Sequence, residues 1–235
     1  LMHKNSELIK INNELDNFVY AASHDLKAPI TNLEGLLQAL KEDLGEDVQK
    51  HELLLKHMVG ALGTLKNVIA DLSDVTKLKH EQEAPEDVQI RDMLEEIKIS
   101  LQPYIEHTRA VVECTDMAFE TLRYTRKNLR SILFNLVSNA IKYADPDRKP
   151  VVSISTSITK DGAYELSVQD NGLGLAPNQI DKIFSLFKRA HDHVEGSGIG
   201  LYLVKRILDN SGDSITVESE EGVGSTFKVT FKQKR

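Results

Sequence analysis

The first part of the chain carries apolar residues at steps of three and four. Such spacing places them on one helix face and is typical of a coiled-coil seam. Gly45, between two such seams, is a helix C-terminal signal, so the pattern predicts two antiparallel helices, each about 45–60 Å long. The first seam consists of Leu8, Ile11, Leu15, Phe18, Ala22, Leu26, Ile30, Leu33, Leu37, Leu40 and Leu44, and the second of Leu54, Met58, Ala61, Leu65, Val68, Leu72 and Val75.

A two-helix hairpin cannot bury both seams by itself. A second copy would complete a four-helix bundle, and we therefore expect residues 1–80 to form a homodimer. The alternative is that the seams pack on the rest of the chain.

A histidine and a proline interrupt the first predicted helix. His24 follows Ala22 by two residues, about 200° round the helix, and therefore lies away from the seam. Pro29 lacks the N–H that would bond the carbonyl of Asp25, so a bend is expected beside His24. A lone surface histidine is usually without function, and this signal is weak by itself.

The pattern changes after an acidic stretch with one proline, residues 81–87, which predicts an exposed linker. Shorter segments follow in which strands and helices mix without regular βαβ alternation. This favours an α+β sandwich over residues 88–235, with helices covering one face of a mixed sheet. Helices are predicted within 88–107 and over 125–143 and 199–210; strands are predicted over 110–114, 151–158, 164–169, 214–218 and 225–231.

Composition narrows the class of protein. The chain has 235 residues, 40% hydrophobic and 28% charged, which suits one or two soluble domains, and it has no apolar run of about 18 residues. The net charge of −7 argues against a nucleic-acid partner. The single cysteine, Cys114, excludes an internal disulfide and favours the cytoplasm. Because Leu1 starts in mid-pattern, we expect a fragment of a longer protein that could have a membrane anchor.

Four residues of the 125–143 helix are candidates for binding. Asn135 and Asn139 are four apart and share one helix face, and Lys142 and Tyr143 follow one turn later. Amide oxygens can ligate a hard cation such as Mg²⁺, and lysine can bind phosphate. The alternative is a solvated helix face.

Glycine-rich turns follow two of the predicted strands and open the last helix. In 170–174, Asp170 at a strand end can accept a hydrogen bond from an amino group such as adenine N6, and Gly172 and Gly174 allow a close approach. Residues 196–201 open a helix, where free N–H groups suit phosphate, although the run lacks the lysine of a Walker A loop. Residues 222–226 supply a third turn.

The long connection 175–195 is typical of a mobile lid. It contains Phe184, Phe187, Lys188 and Arg189. The run 191–193, with two histidines and an aspartate, could suggest a metal site, but no cysteine is nearby and polar lid surface is the preferred interpretation.

These motifs together resemble the catalytic core of the two-component sensor histidine kinases. The boxes named H, N, G1, F, G2 and G3 follow in order and at normal spacing. They are His24-Asp25-x-x-x-Pro29, Asn135-x-x-x-Asn139, Asp170-x-Gly172-x-Gly174, Ile183-Phe184-x-x-Phe187, Gly196-x-Gly198-x-Gly200-Leu201 and Gly222-x-Gly224.

The resemblance implies a dimerisation and phosphotransfer hairpin over 1–80, with 1–15 a signalling coiled coil leading into it, and an ATP-binding domain of the Bergerat (GHKL) fold over 88–235. It implies that His24 accepts the γ-phosphoryl group of ATP and passes it to an aspartate of a response regulator, under control of an upstream sensor domain. It further implies that Asp25 orients His24 and that Arg189 contacts the γ-phosphate. Asn139 and Asn135 would bind Mg²⁺, Lys142 would bind phosphate, and Tyr143 and Asp170 would contact adenine, with Thr226 behind Asp170. The other residues implied around the nucleotide are Gly172, Gly174, Phe187, Gly196, Gly198, Gly200 and Leu201.

One position departs from the family pattern. Many members have threonine or asparagine four residues after the histidine, where it positions water for dephosphorylating the regulator. This chain has Ala28 there, and weak phosphatase activity is therefore the hypothesis.

Two other classes of protein are alternatives to the kinase. An ATPase of the same fold that works by conformational change would lack a phosphoacceptor such as His24. An inactive dimerisation scaffold would show damage in the asparagine or glycine boxes, and these are intact.

Overall fold

The computed structural model describes residues 26, 29–45, 48–77, 84–188 and 198–232. The chain divides into two compact units, Leu1–Gln82 and Glu83–Arg235, with a boundary inside the predicted linker. Within the described ranges, no helix has the length and apolarity needed to cross a bilayer.

The first unit contains two helices, α1 (residues 29–44) and α2 (Val48–Lys77). The predicted coiled-coil entry 1–15 and the seam residues from Leu8 to Ala22 lie outside the described residues. Helix α1 buries Ile30 and Leu37, two residues of its predicted seam. An ion pair between Glu34 and Lys66, with N and O 2.9 Å apart, joins the two helices at the surface.

The buried stripe of α2 differs from the predicted seam. Leu55 and Ile69 are 3% exposed, whereas the seam residues Leu54 and Met58 are 60% and 41% exposed. Two packed helices bury one stripe each, so a pattern made for a larger bundle leaves the remaining apolar residues uncovered in a single chain. Those described as exposed are Leu26, Leu33, Leu36, Leu40, Leu53, Leu54, Met58, Val59 and Leu65.

The second unit is built on a five-stranded mixed sheet, which confirms the predicted fold class. Its strands are β2 (Val111–Met117), β4 (Val151–Ile158), β5 (Tyr164–Asp170), β6 (Ser214–Glu220) and β7 (Gly224–Phe231). Their order in the sheet is β2-β4-β5-β7-β6, in which β2 runs parallel to β4 and the other neighbours are antiparallel. Strands β1 (Glu86–Gln89) and β3 (Thr121–Tyr124) form a separate antiparallel pair.

Helices form a second layer on this sheet. Helix α5 contacts β4 and β5, lies between α3 and α7, and buries Leu129, Leu133 and Leu136, each at most 1% exposed. The sheet contributes every second residue of a strand to the core: Val152 and Ile154 of β4 are fully buried, while their neighbours are not. The helices are α3 (Ile90–Ser100), α4 (Gln102–Thr108), α5 (Arg126–Lys142), α6 (Pro177–Ile180) and α7 (Gly200–Ser211).

Three local features differ from the sequence prediction. Strand β1 begins at Glu86, inside the predicted linker, because it pairs with β3, a strand that the pattern did not reveal. The helical region 88–107 is two helices, and α4 starts at Gln102 with Pro103 in its first turn, where a missing N–H is tolerated.

Candidate active site

Asp170, the last residue of β5, is the centre of the candidate site. Its Oδ1 accepts hydrogen bonds from the backbone N–H groups of Gly172 at 2.9 Å and Ser225 at 3.2 Å. Among the described residues, Oδ2 has no hydrogen-bond partner. One carboxylate oxygen is thus fixed by the fold and the other is available to a ligand.

The surroundings of Asp170 act on its pKa in opposing directions. Burial raises the pKa of the carboxyl above its ordinary value, since desolvation disfavours the charged form. The two N–H groups and the Arg148 guanidinium act the other way and favour the carboxylate. The net result is a pKa of Asp170 above its ordinary value.

Gly172 is required by the chain's own packing. A Cβ there would press into the carbonyl oxygen of Tyr143 and lie 3.0 Å from Asp170 Oδ1. That carbonyl accepts the N–H of Leu173 at 2.9 Å. The glycine therefore lets the turn after β5 lie against the end of α5, rather than only bringing backbone to a ligand as the sequence predicted.

The structure places Ser225, not Thr226, beside Asp170. Ser225 is opposite Asp170 in the register of β5 and β7, while Thr226 is opposite Gln169. Because neighbouring residues of a strand point to opposite faces, Thr226 lies on the other face of the sheet. Ser225 is 8% exposed, and its hydroxyl is 2.9 Å from that of Ser219. The register therefore favours Ser225 over the predicted Thr226 as the residue behind Asp170, and register cannot be read from a glycine motif.

Helix α5 connects the Asp170 region with the start of α7. A Cβ on Gly200 would collide with Asn135 Oδ1, so the first turn of α7 lies directly on that amide. Asn135 is oriented by its Nδ2, which donates to the Ser131 carbonyl at 2.8 Å. Asn139, one turn on, is half-buried, and its amide has no hydrogen-bond partner among the described residues.

The remaining predicted site residues differ in their exposure and contacts. Lys142 is exposed and its Nζ lies 6.0 Å from the ring centroid of Tyr104, a cation–π arrangement. Phe187 is 57% exposed, and its N–H donates to the Gly198 carbonyl at 3.0 Å. Gly174 packs on the Glu220 carbonyl. Leu201 is half-buried in α7.

Five residues with a predicted role in the reaction or in nucleotide binding lie outside the described residues: His24, Asp25, Ala28, Arg189 and Gly196. The run 191–193, weighed as a metal site, also lies outside them. Within the described ranges, no group of three or more histidine, cysteine, aspartate or glutamate side chains could hold a metal ion.

Two side chains near Asp170 were missed by sequence reasoning. Asn171 accepts the N–H of Val151 at 2.8 Å and donates to the Lys149 carbonyl at 3.0 Å, which fixes the turn to the start of β4. Arg148 donates to the Gly172 and Gly222 carbonyls, both at 2.9 Å. The acidic, proline-containing run before Arg148 has the composition of an ordinary loop, so nothing in the sequence indicated these contacts.

Two family models match the two units. Residues 14–81 match the His Kinase A (phospho-acceptor) domain, and residues 124–235 match the histidine kinase-, DNA gyrase B-, and HSP90-like ATPase. The chain belongs to the sensor histidine kinases. It has the parts of their catalytic core, and the first model spans His24.

Curated relatives align along nearly the whole chain. The methanogenesis regulatory histidine kinase FilI of Methanothrix harundinacea is 28% identical over 98% of this chain and 26% of its own length. Cyanobacterial phytochrome B of Nostoc sp. is 31% identical over 99% of this chain and 31% of its own length. The aerobic respiration control sensor ArcB of Escherichia coli is 29% identical over 91% of this chain and 28% of its own length. The chain therefore spans about a quarter to a third of these relatives.

Two solved structures share the fold. Full-length ShkA, crystallised in complex with AMPPNP, matches with a TM-score of 0.72 and 21% identity over 92% of this chain and 45% of its own. AdeS of Acinetobacter baumannii matches with a TM-score of 0.60 and 20% identity over 90% of this chain and 98% of its own. These matches support the GHKL ATPase fold of the second unit.

Proposed function

We propose that the chain is an ATP-dependent protein-histidine kinase that phosphorylates His24 and passes the phosphoryl group to an aspartate of a response regulator. The observation that supports nucleotide binding is the arrangement of Asp170. Its Oδ1 accepts hydrogen bonds from two backbone N–H groups, while its Oδ2 has no partner among the described residues. That oxygen suits an amino donor such as adenine N6. The phospho-acceptor family match supports the histidine part.

Helix α5 would lie along the bound nucleotide. Tyr143 at its end adjoins the Asp170 turn, and Asn135 adjoins the start of α7, about 12 Å away along the helix. Adenine would bind at the first end and phosphates at the second, where the first N–H groups of a helix have no acceptor within the helix itself. In this arrangement Ser225 takes the place of Thr226 behind Asp170, and Gly172, Gly174, Phe187, Gly196, Gly198, Gly200, Leu201 and Lys142 surround the nucleotide, with Arg189 at the γ-phosphate.

The residues present fit a magnesium ion held together with the phosphates. Asn139 has a half-buried amide without a partner among the described residues, and amide oxygen is a ligand that Mg²⁺ accepts alongside phosphate and water. Asn135 would assist it. When bound, the ion would neutralise charge on the phosphate oxygens.

The transfer itself needs only one bond made and one broken. The Nε2 lone pair of neutral His24 attacks the γ-phosphorus, and the bond from that phosphorus to the bridging oxygen breaks, leaving ADP. The proton on Nδ1 stays in place, held by Asp25, which orients the ring as the acid does in catalytic triads.

Exposed apolar side chains of the first unit support a homodimer through residues 1–80. Leu36, Leu53 and Leu54 are 60%, 69% and 60% exposed in the single chain. Monomeric proteins rarely expose such apolar rows, and a second copy of the hairpin would cover them in a four-helix bundle. We place this part of the protein in the cytoplasm, downstream of a sensor domain.

Weak phosphatase activity is the expected consequence of Ala28, which has no polar group to position water. The test adds phosphorylated regulator to the chain with ADP and follows the label on the regulator. Rapid loss of that label would reject the hypothesis, and Ala28→Thr should increase the rate.

The kinase is tested with γ-labelled ATP and Mg²⁺. We expect label on the protein that is lost in acid and retained in base, as for phosphohistidine, and no label on a His24→Ala variant. ADP production without labelled protein would instead indicate an ATPase, the alternative function. A chain that neither binds nor hydrolyses ATP would be the inactive scaffold.

A further inference from the structure

Arg148 connects the two turns that hold Asp170. It lies in the connection between α5 and β4, and its Nη2 donates to the Gly172 carbonyl in the turn after β5 and to the Gly222 carbonyl in the turn between β6 and β7, both at 2.9 Å. Its Nη1 donates to the Val223 carbonyl at 3.4 Å. A single guanidinium therefore ties together two turns that come from separate parts of the chain.

The two donors to Asp170 lie in or next to these turns. Gly172 donates its own N–H to Asp170 Oδ1, and Ser225, which follows the second turn, donates the other. Arg148 is held in place by Asp145, whose Oδ2 is 2.9 Å from Nη2 and whose Oδ1 accepts the N–H of Asp147. The connection that carries Arg148 is thus ordered by its own hydrogen bonds.

We propose that Arg148 is a positioning residue for adenine recognition, which clamps the Gly172 and Gly222 turns so that Asp170 faces the base. The inference rests on the proposed nucleotide function. It assigns Arg148 no contact with ATP: the residue acts through the carbonyls it holds. A guanidinium suits this task because its donors form a rigid planar fork, which an ammonium group lacks.

The charge of Arg148 adds a second effect. Of the charged groups near Asp170, Arg148 acts on the carboxyl and favours its ionised form; Asp145 is paired with Arg148, and Glu220 and Glu221 of the neighbouring turn are exposed. Removing the positive charge would raise the pKa of Asp170 further. Binding that needs the carboxylate would then be lost at a higher pH as the solution is acidified.

The test measures ADP affinity by calorimetry across pH for the intact chain, its Arg148→Met and Arg148→Lys variants, and Arg123→Met as control. Arg123 is likewise paired with an aspartate, Asp87, but it is exposed and lies on β3. We expect Arg148→Met to weaken ADP binding about tenfold at neutral pH, or about 1.4 kcal/mol, and to move the acid limb of the profile to higher pH. Arg148→Lys should keep the wild-type acid limb and still bind more weakly, because it retains charge but not the fork.

Each result bears on the inference separately from the proposed function. Wild-type affinity in both Arg148 variants would overturn the inference, and so would weaker binding with an unmoved acid limb in Arg148→Met, which would indicate a merely structural role. If the unsubstituted chain failed to bind ADP, the proposed function itself would be wrong. If Arg148→Met folds poorly, the clamp can be tested with Arg148→Lys alone. In the nucleotide-free protein, this variant should accelerate hydrogen exchange at the backbone amides of Gly172 and Ser225.

Discussion

Replacing Gly172 with alanine should destabilise the ATP-binding unit and weaken its nucleotide site together. The new Cβ would collide with the Tyr143 carbonyl oxygen and lie 3.2 Å from its carbonyl carbon. Both neighbours are backbone atoms at the end of α5, so they cannot rotate away as a side chain would. The turn or the helix end must move instead.

The magnitude follows from what that movement disturbs. Overpacking in a tight site costs about 1–3 kcal/mol. The hydrogen bonds from Leu173 to Tyr143 and from Gly172 to Asp170, both 2.9 Å, are each worth about 0.5–1.5 kcal/mol net. We therefore expect Gly172→Ala to lower the free energy of unfolding of this unit by about 2–4 kcal/mol, allowing for partial retention of the bonds.

Urea denaturation followed by near-ultraviolet circular dichroism measures this loss, with Gly162→Ala as the matched control. Gly162 lies at the tip of the β4–β5 turn with φ of +83°, and no atom lies within 4 Å of the position that a Cβ would take there. Alanine at this position therefore meets only backbone strain, about 1–2 kcal/mol. A Gly172→Ala variant no less stable than Gly162→Ala, or one that bound ADP normally, would refute the close packing described for the Asp170 turn.

Four further outcomes are expected. Tyr124→Phe removes the 3.0 Å hydrogen bond to the buried Asp213 and should cost about 1–2 kcal/mol in urea denaturation, with an unchanged m-value. Leu54→Glu should shift the chain from dimer to monomer in sedimentation equilibrium. Lys66→Met breaks only an exposed ion pair and should change the stability of the hairpin by less than about 1 kcal/mol. ADP affinity should fall on acidification through the raised pKa of Asp170, whereas the contribution of that group to folding stability is full at low pH and is lost as the pH rises through the same pKa.

Much of the second unit could be predicted because its strands and helices carry clean periodicities. The predicted strand 151–158 has the same bounds as β4, and the predicted helix 125–143 differs from α5 by one residue at each end. Strand β3 escaped because four residues between turns leave too short a pattern. The inward stripe of α2 escaped for a different reason: a bundle helix has apolar residues on more than one face, and Leu54 and Leu55 cannot be ranked by periodicity alone.

The residues of the candidate site also divide into those that the sequence predicted and those that it did not. Asp170, Asn135 and Asn139 could be predicted as site residues because their motifs combine a polar residue with a fixed helix or strand position. Ser225 replaced Thr226 because strand register depends on partners distant in sequence. Arg148 was not predicted at all, since its contacts are carbonyl groups of two turns, and carbonyl acceptors leave no mark on side-chain sequence.

The most direct test of the central claim, that ATP bound at Asp170 phosphorylates His24, is to locate the phosphoryl group after incubation with ATP and Mg²⁺. Mass spectrometry of peptides kept at neutral to basic pH can do this. We expect the phosphoryl group on His24, and a large decrease in its yield in an Asp170→Asn variant. A phosphoryl group on any other residue, or an undiminished yield in Asp170→Asn, would contradict the account.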